Sequence, residues 1–469
     1  MRDVVFDLRS AEVELRSALR SVERHTTFAE ALAQGSTGTT VRTSHAGSSG
    51  EFAPGLRGAA LRAWAGNHWV EVAASALTPQ ALTEAAASLN DRLSKTPAGP
   101  APPGPPATLH REEVHPPARP LSDLSVEEAI ARVQEYRGWA LAVPGITEAH
   151  AFLITEEDAR LYVNTAGAFE FQVLPRVAAA VAPVTVENGR VGQNWIRLGG
   201  MGGEEILQPI TEARVRAVAE GAKAMLGAKS PPAGPRTVVL DPSTAGVLAH
   251  ESFGHGTEAD QFIRKRSYLQ PLYGKMVGPE MLSIVDEGSF PGGWGSLFFD
   301  DEGTPTRRNL LVDHGRFVGV LHDRVTAGQL GGQPTGNARR SDFLSRLWVR
   351  MTNTYVEPGE LSREELLAEA RDGILLEEPT SGLEDPLGGQ MQIKVLRGYR
   401  IERGKTTQLV SGIALSGRVL DVLRAVRGVS RVDRLVMDGA AYCGKGQGDY
   451  IPAGSGGGYV LTEAIVGPA

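Results

Sequence analysis

The chain has 469 residues, 41% of them apolar, and a net charge of -7, which suits a globular protein of several domains and argues against a large basic surface for nucleic acid. Its single cysteine excludes an intramolecular disulfide, and no run reaches the ~18 apolar residues of a membrane span. Because the N-terminus also lacks the apolar core of a signal peptide, we expect a cytoplasmic protein with no membrane or nucleic-acid partner.

The N-terminal part alternates predicted helices with turn-rich segments. Residues 7–34 carry apolar residues at helical spacing, and Thr78–Leu93 predicts a second helix with Thr78 as its cap. Between them, Gly58–Val72 has the pattern of short strands around a turn. Residues 97–106 include six prolines, a composition that excludes helix and favours an extended surface loop.

Regular structure resumes after the proline-rich segment with another helix. Ser125–Val143 opens with Ser125 and Glu128 spaced for a capping box, in which each side chain bonds to the other residue's backbone. Beyond it, alternating apolar residues and then a helical pattern predict three strands and one helix, at Ala149–Thr155, Ala159–Asn164, Phe169–Val181 and Pro209–Leu226, the last with Pro209 in its first turn.

Ser230–Pro235 is the strongest candidate domain boundary, because prolines and a glycine interrupt every regular pattern there. We divide the chain into an N-terminal α+β domain, residues 1–230, and a strand-rich C-terminal domain, residues 231–469. The fold class is therefore α+β. The second domain has predicted strands at Thr237–Leu240, Leu310–Val312, Phe317–His322, Gln392–Ile401 and Lys405–Val410, and predicted helices at Leu361–Arg371 and Ser416–Val426.

A short stretch of the C-terminal domain carries the most specific chemistry. His250, Glu251 and His255 lie within six residues of a predicted helix, and imidazole nitrogens suit zinc. A separation of five leaves the two histidines about 140° apart on a regular helix. Both reach one metal only if the helix widens as a π-bulge, or ends, near Ser252–Gly254. The competing interpretations are coincidence and histidines that only satisfy buried polar groups or cap the helix.

The motif assigns a role to each of its residues. A catalytic zinc has three protein ligands and one open position. His250 and His255 would be neutral ligands, and Glu251 would stay free as the base beside a zinc-bound water, whose pKa falls to about 7. The residues alone leave the third ligand open among Glu258, Asp260, His314, His322 and Cys443.

Cys443 is the sole cysteine, and a thiolate is a good zinc ligand. Glycines after it allow close backbone approach, and Lys445 favours the thiolate form. A small buried thiol without a role is an equally good interpretation. Glu258 and Asp260, just past His255, are equally consistent with acceptors that orient the imidazoles and with a solvated helix end.

Four further segments are unusually polar or rich in glycine. Pro334–Arg340 is a turn with paired cations, and Arg350–Thr354 places amides and hydroxyls in a candidate strand. A surface turn is the default for these two, and a substrate-lining role is the alternative. Glycines at 388–389 and 454–458 could expose backbone donors for strand addition by a bound chain, although flexible surface loops are the simpler interpretation.

Several sequence blocks, taken together, resemble the TldD/PmbA family, and specifically its metal-binding TldD branch. The resemblance covers most of the chain and is densest from Thr237 to Gln447. That family carries the irregular His-Glu-x-x-x-His spacing, and its three zinc ligands map onto His250, His255 and Cys443, with its catalytic glutamate at Glu251. The resemblance therefore favours cysteine as the third ligand. Its blocks are His250–Asp260, Asp300–Gly303, Pro334–Arg340, Arg350–Thr354 and Cys443–Gln447.

The resemblance implies a zinc-dependent peptidase that cleaves unfolded peptides threaded through a channel between subunits. It also implies a partner subunit of the TldE/PmbA type, which lacks the metal motif, or a homodimer. A non-catalytic PmbA-like role does not suit this chain, because both histidines and the glutamate are present. The alternative is a scaffold or regulatory protein of the gyrase-modulator type, with a structural or absent zinc. A third interpretation is a metal hydrolase that acts on non-peptide amides.

Overall fold

The computed structural model describes residues 7–22, 25–53, 55–97, 99, 102, 108–115, 124–446 and 448–469. Its described part is α+β, as the sequence predicts, with three large sheets and two two-stranded ones. No helix among these residues is both long enough and apolar enough to cross a membrane. The proline-rich segment 97–106 lies largely outside the described residues, so its extended form stays a prediction.

The described strands of the N-terminal part form one sheet: β1 Ala29–Ser44, β2 Gly47–Ala53, β3 Arg57–Ala65, β4 His68–Ala74, β5 His110–Val114, β6 Glu148–Asn164, β7 Phe169–Glu187, β8 Arg190–Gln193 and β9 Ile196–Met201. Their order is β4-β3-β1-β6-β7-β5, with β2 paired to β1 and both β8 and β9 paired to β7. The strands predicted at 149–155 and 159–164 are one continuous strand. The helix predicted for residues 7–34 ends at Val22, because the apolar residues from 29 onward also alternate with period two and enter β1.

Alternate positions along these strands point to opposite faces of the sheet, and the two faces differ in chemistry. Ala31, Leu161 and Phe171 belong to an apolar face that is covered by helices at both ends. Glu30 and Arg160 belong to the other face, which is charged, buried and turned toward the C-terminal part. The covering helices are α1 Glu12–Val22 and α2 Pro79–Ser94 at one end, and α3 Val126–Leu141 and α4 Glu212–Ala224 at the other.

The helix caps that the sequence predicts are present. Thr78 Oγ1 accepts a hydrogen bond of 3.3 Å from the α2 backbone, and Ser125 and Glu128 form both bonds of a capping box, at 2.9 and 3.1 Å. The first turn of α4 does not contain Pro209 as predicted, because Thr211 caps this helix two residues later. Side-chain oxygens that satisfy free N–H groups therefore fix where these helices begin.

The strands of the C-terminal part are β10 Gly234–Leu240, β11 Ile284–Glu287, β12 Arg308–Asp313, β13 Arg316–Phe317, β14 Ala338–Arg339, β15 Trp348–Val349, β16 Asn353–Val356, β17 Gly373–Glu384, β18 Gln390–Glu402, β19 Lys405–Arg418, β20 Gly428–Val429, β21 Met437–Asp438, β22 Tyr442–Lys445, β23 Asp449–Pro452, β24 Gly454–Gly457 and β25 Val460–Pro468. One sheet has the order β10-β17-β18-β19-β25-β20, and β10 also pairs with β25, which closes five strands into a ring. A second has the order β13-β12-β11-β16-β24-β21, while β14–β15 and β22–β23 are separate pairs.

The helices of the C-terminal part are α5 Pro242–Ala249, a π-helix at His250–Gly254, α6 Ala259–Ile263, α7 Arg324–Leu330, α8 Arg363–Ala370 and α9 Val419–Arg424. Helix α5 packs against β16, β17 and β24, so it lies between the two six-stranded sheets. The strand predicted at 317–322 is confined to 316–317, and the helix predicted from 416 begins at 419 because β19 continues to 418. The other predicted C-terminal strands and the helix near 361–371 are confirmed. The domain division at residue 230 stays a prediction.

Candidate metal centre

The site begins with the capped helix α5. Asp241 Oδ1 accepts a hydrogen bond from Thr244 N at 2.8 Å, which fixes the start of the helix directly after β10. Gly246 faces Gly456 of β24, and a Cβ at Gly246 would lie only 2.2 Å from the Gly456 nitrogen. This close approach seats α5 between the sheets and places His250 at its C-terminal end.

The helix widens where the spacing of the motif predicts. Residues His250–Gly254 form a π-helix, and the backbone N–H of His255 donates to the carbonyl of His250, five residues earlier. The extra residue in this turn brings the two imidazoles to one side, with ring centroids 5.1 Å apart and an angle of 87° between the planes. The predicted distortion is confirmed.

Cys443 reaches the two histidines from a distant part of the chain. Its Sγ lies 3.1 Å from His250 Nε2 and 3.2 Å from His255 Nε2, and the ligand atoms of the three residues all lie within 4.8 Å of one another. His314 is exposed beside Asp313, and His322 is not part of this cluster. Within the described residues, no other group of three metal-binding side chains comes this close together.

The charges of these three side chains favour a cation between them. Burial raises the pKa of Cys443, but His255 and His250 lower it well below its ordinary value, which leaves a thiolate. Burial lowers the pKa of each histidine, whereas Cys443 raises it, and the net shift is upward for both. One thiolate and two imidazoles are a donor set that zinc prefers, and zinc would displace the protons held there. The residues present therefore fit zinc.

Glu258 and Asp260 lie behind His255 and are not part of the cluster of ligand atoms. Glu258 Oε2 is 3.7 Å from His255 Nδ1 and 2.8 Å from Lys445 Nζ, which is also 2.8 Å from Asp260 Oδ1. Burial raises the pKa of Glu258, but Lys445 and His255 lower it by a larger amount. The resulting pKa is about 2. The Lys445 ammonium is held by these two carboxylates, and the two histidines lower the pKa of Cys443. That Lys445 also favours the thiolate stays a prediction.

Glu251 lies beside the first ligand, in the wall of a cavity of about 750 Å³ that the three ligand residues also line. Among the described residues, no donor forms a hydrogen bond with its carboxylate. Gly382 of β17 faces it, and a Cβ there would lie 2.3 Å from Glu251 Oε1. The missing side chain at position 382 therefore leaves room for the Glu251 carboxylate.

The structure adds one acidic residue that sequence reasoning missed. Glu384 lies two residues beyond Gly382, on the same face of β17, and lines the same cavity. Both of its carboxylate oxygens are buried without a hydrogen-bond partner. Burial raises the pKa of Glu384 to about 9, helped by Glu251 although His255 opposes it. Only the pairing of β17 reveals which side chains share this face, and the sequence carries no signal for that pairing.

The polar segments Pro334–Arg340 and Arg350–Thr354 are buried supports, so their interpretation as surface turns is wrong. Arg350 Nη2 donates to the carbonyl of Cys443 at 2.8 Å, and Arg339 Nη1 donates to a β23 carbonyl at 2.9 Å. Neither segment lines the cavity beside the candidate ligands. Their fork-shaped cations hold the backbone that presents the cysteine.

The two glycine-rich segments differ from each other. Gly454–Gly457 form β24, which pairs with β16 and β21 and is buried, so the interpretation as a flexible surface loop is wrong there. Gly388 and Gly389 lie in the turn between β17 and β18, where Gly389 has a φ of 68° that favours glycine. Only the second segment is the turn that the sequence predicts.

Comparisons with known proteins identify the family of the chain. A family model described as the PmbA/TldA metallopeptidase C-terminal domain matches residues 233–465, and one described as the central domain matches residues 119–226. A metalloprotease of Methanothermobacter thermautotrophicus is 34% identical over 352 residues, which is 75% of this chain and 76% of that protein. A metalloprotease of Methanocaldococcus jannaschii is 37% identical over 287 residues, 60% of this chain and 61% of that protein. The crystal structure of TldE from Thermococcus kodakarensis has a TM-score of 0.76 at 15% identity and covers 97% of this chain and 99% of its own, a likeness of fold.

Proposed function

This chain belongs to the PmbA/TldD metallopeptidase family, and we propose that it is a zinc-dependent peptidase of the TldD type that cleaves unfolded peptides. The observation that carries the proposal is the convergence of His250, His255 and Cys443 beside the unpaired carboxylate of Glu251 at a large cavity. A metal-binding cluster with a free base and room for substrate is what metal-assisted hydrolysis requires.

Each residue of the proposed site has a role. His250, His255 and Cys443 would hold the zinc, with the protein's open cavity on the remaining side. When bound, zinc polarises a carbonyl and lowers the pKa of water to about 7. Glu251 would take the proton of the attacking water and pass it to the leaving amine. We also propose a cytoplasmic location, because a thiol ligand keeps its sulfur reduced there.

Strand β17 offers a means of binding peptides of any sequence. One of its edges pairs with β18 along its whole length, whereas the other pairs with β10 only at Ile374–Leu376. Beyond that point, residues 379–384 line the cavity, and no described strand covers their second edge. An extended peptide could add to this edge through backbone hydrogen bonds, a mode that selects unfolded chains.

We propose that a second subunit completes the substrate channel. The rim of the cavity presents exposed apolar side chains: Leu383 is 65% exposed, Tyr442 48% and Tyr450 58%. Exposed apolar groups around a functional cavity favour a protein interface. The partner would be a TldE/PmbA-type subunit or a second copy of this chain.

The test is digestion of unfolded peptides by the purified protein after metal analysis. We expect bound zinc, cleavage that stops with chelator and returns with zinc, and a loss of about 10²–10⁴-fold in cleavage for Glu251→Gln with zinc retained. The matched control is Glu369→Gln, on the exposed side of α8, which should cleave normally.

Three outcomes separate this proposal from its alternatives. Unchanged cleavage in Glu251→Gln would contradict the role of that residue. An absence of cleavage by zinc-loaded protein, together with its expected partner, would favour the scaffold interpretation. Turnover of small non-peptide amides but not of unfolded peptides would favour the amide hydrolase.

A further inference from the structure

The hairpin that carries Cys443 is not part of a larger sheet. Among the described residues, β22 pairs only with β23. Backbone pairing therefore fixes the shape of the hairpin but not its position against the π-helix. Side-chain contacts must set that position, and Lys445 supplies three of them.

Lys445 lies two residues from Cys443 on the same strand, so both side chains point to the same face. Its ammonium donates to Glu258 Oε2 and Asp260 Oδ1, both at 2.8 Å, and to the carbonyl of Val349 at 3.1 Å. An ammonium has three donors, and here all three have an acceptor. Because the Lys445 side chain is only 8% exposed and Glu258 is fully buried, these contacts are stronger than the same contacts in water.

Glu258 connects this anchor to a candidate metal ligand. Its Oε2 lies 3.7 Å from Nδ1 of His255, whose Nε2 faces the Cys443 sulfur at 3.2 Å. Its Oε1 lies 3.3 Å from Nε of Arg350, and Arg350 also holds the carbonyl of Cys443. One carboxylate therefore contacts the helix-borne ligand and two of the cations that hold the cysteine hairpin, Lys445 and Arg350.

We propose that Lys445 and Glu258 form a positioning pair that docks the Cys443 hairpin onto the π-helix. The pair sets the distance between the sulfur and the two imidazoles before a metal arrives, and it holds Nδ1 of His255 away from the sulfur. Neither residue touches the reacting atoms. The docking stands on the contacts alone, whereas its consequence for metal binding rests on the proposed function.

The first test uses the reactivity of the sole cysteine in metal-free protein. Lys445→Met removes the ammonium, and we expect the limiting rate at high pH with a chromogenic aromatic disulfide to rise about tenfold or more, because local opening exposes the buried sulfur. Lys445→Arg should restore most of the protection. Lys405→Met, which changes an exposed lysine at the start of β19, is the matched control and should react like the unmodified sequence.

Two results of this experiment would overturn the proposal. One is an unchanged limiting rate in Lys445→Met. The other is a change confined to the apparent pKa of the thiol, which would mean that Lys445 acts only through its charge. If circular dichroism shows that Lys445→Met is unfolded, Glu258→Gln weakens the same contact and is judged by the same two criteria.

The second test measures metal binding by chelator competition and by the thiolate-to-cobalt absorption band of cobalt-loaded protein. We expect Lys445→Met to weaken metal affinity by about 10–100-fold and to reduce the band, with Lys445→Arg intermediate. Equal affinity in Lys445→Met and the unmodified protein would refute this consequence. Failure of the unmodified protein to bind metal would refute the proposed function, and the thiol measurement would still decide the docking.

Discussion

The molecule contains two buried polar regions that differ in how completely their carboxylates are paired with cations. In the first, an ion network between the N-terminal sheet and the loop after β11, Glu30 contacts Arg62, Arg324 and Tyr162, and Glu302 contacts both Arg62 and the Arg324 backbone. Burial raises the pKa of Glu30, but Arg324 and Arg62 together lower it by more, so the net shift is downward. Every carboxylate in this network has a cationic partner.

In the second region, the candidate metal centre, two carboxylates lack partners. Both oxygens of Glu384 are buried without a hydrogen-bond partner. Glu251 lines the cavity, and its carboxylate accepts no hydrogen bond from the described residues. Folding stability does not favour this arrangement, because an unpaired buried carboxyl costs free energy. The contrast supports the proposal that the second region is a reaction centre, since a group that is fully paired has no capacity left for substrate.

The largest expected effect is the loss of stability when the ion network around Glu30 and Glu302 is broken. Arg324→Met should lower the free energy of unfolding by about 3–5 kcal/mol, because it removes one cation from two buried carboxylates. Denaturation by urea measures this change. The matched control is Arg308→Met, which breaks a pair with Glu357 that is 41% exposed on both sides and should cost about 0–1 kcal/mol. Similar losses of unfolding free energy in the two variants would show that the buried ion pairs stabilise the protein no more than the exposed one.

The next effect concerns binding at the centre. Cys443→Ser replaces a thiolate by a poor zinc ligand, and we expect metal affinity to fall roughly a hundredfold or more, about 2.8 kcal/mol. Chelator competition measures it. Ser252→Ala lies in the same π-helix, does not touch the ligand atoms and should bind metal normally. Undiminished affinity in Cys443→Ser would remove the cysteine from the proposed ligand set.

The smallest expected effect is a gain in stability rather than a loss. Glu384→Met should raise the free energy of unfolding of the metal-free protein by about 1–3 kcal/mol near pH 5, because it removes an unsatisfied buried group. The pKa of Glu384 is raised from 4.5 to about 9, so the folded state holds a proton that the unfolded state has lost between those values, and stability falls as pH rises through that range. In the variant, the free energy of unfolding, measured by urea denaturation at several pH values, should not show this fall with pH. A slope equal to that of the unmodified protein would contradict the assignment.

The sequence predicted the candidate site better than it predicted the sheets around it. The five-residue spacing of His250 and His255 required a widened helix, and the structure contains one. Local propensity also placed the capped helices correctly at Thr78 and Ser125. For the third ligand, the residues alone left five candidates, and only the resemblance favoured Cys443. Contact between residues 193 apart depends on the whole fold and leaves no periodic pattern.

The features that sequence reasoning missed share one physical cause. The surroundings of Glu384 and the partners of Lys445 are set by how strands pair and which face they present, and neither property is local. The helical spacing of residues 29–34 fitted a strand equally well, and only the pairing of β1 with β3 and β6 decides between the two. The buried segments around Arg339 and Arg350 resembled surface turns, because their polar side chains find partners that lie far away in the chain.

The long chain segment between the ligands has a consequence for the order of events in folding. Before the β22–β23 hairpin docks, the candidate metal centre contains the two histidines but not the Cys443 sulfur. The centre is then incomplete. Contacts between residues far apart in the chain form slowly in folding, so we expect the centre to form late. Under the proposed function its own unfolded chain is a substrate, so we expect the protein to be latent until it has folded. Assembly of the centre would then act as a safeguard against self-digestion.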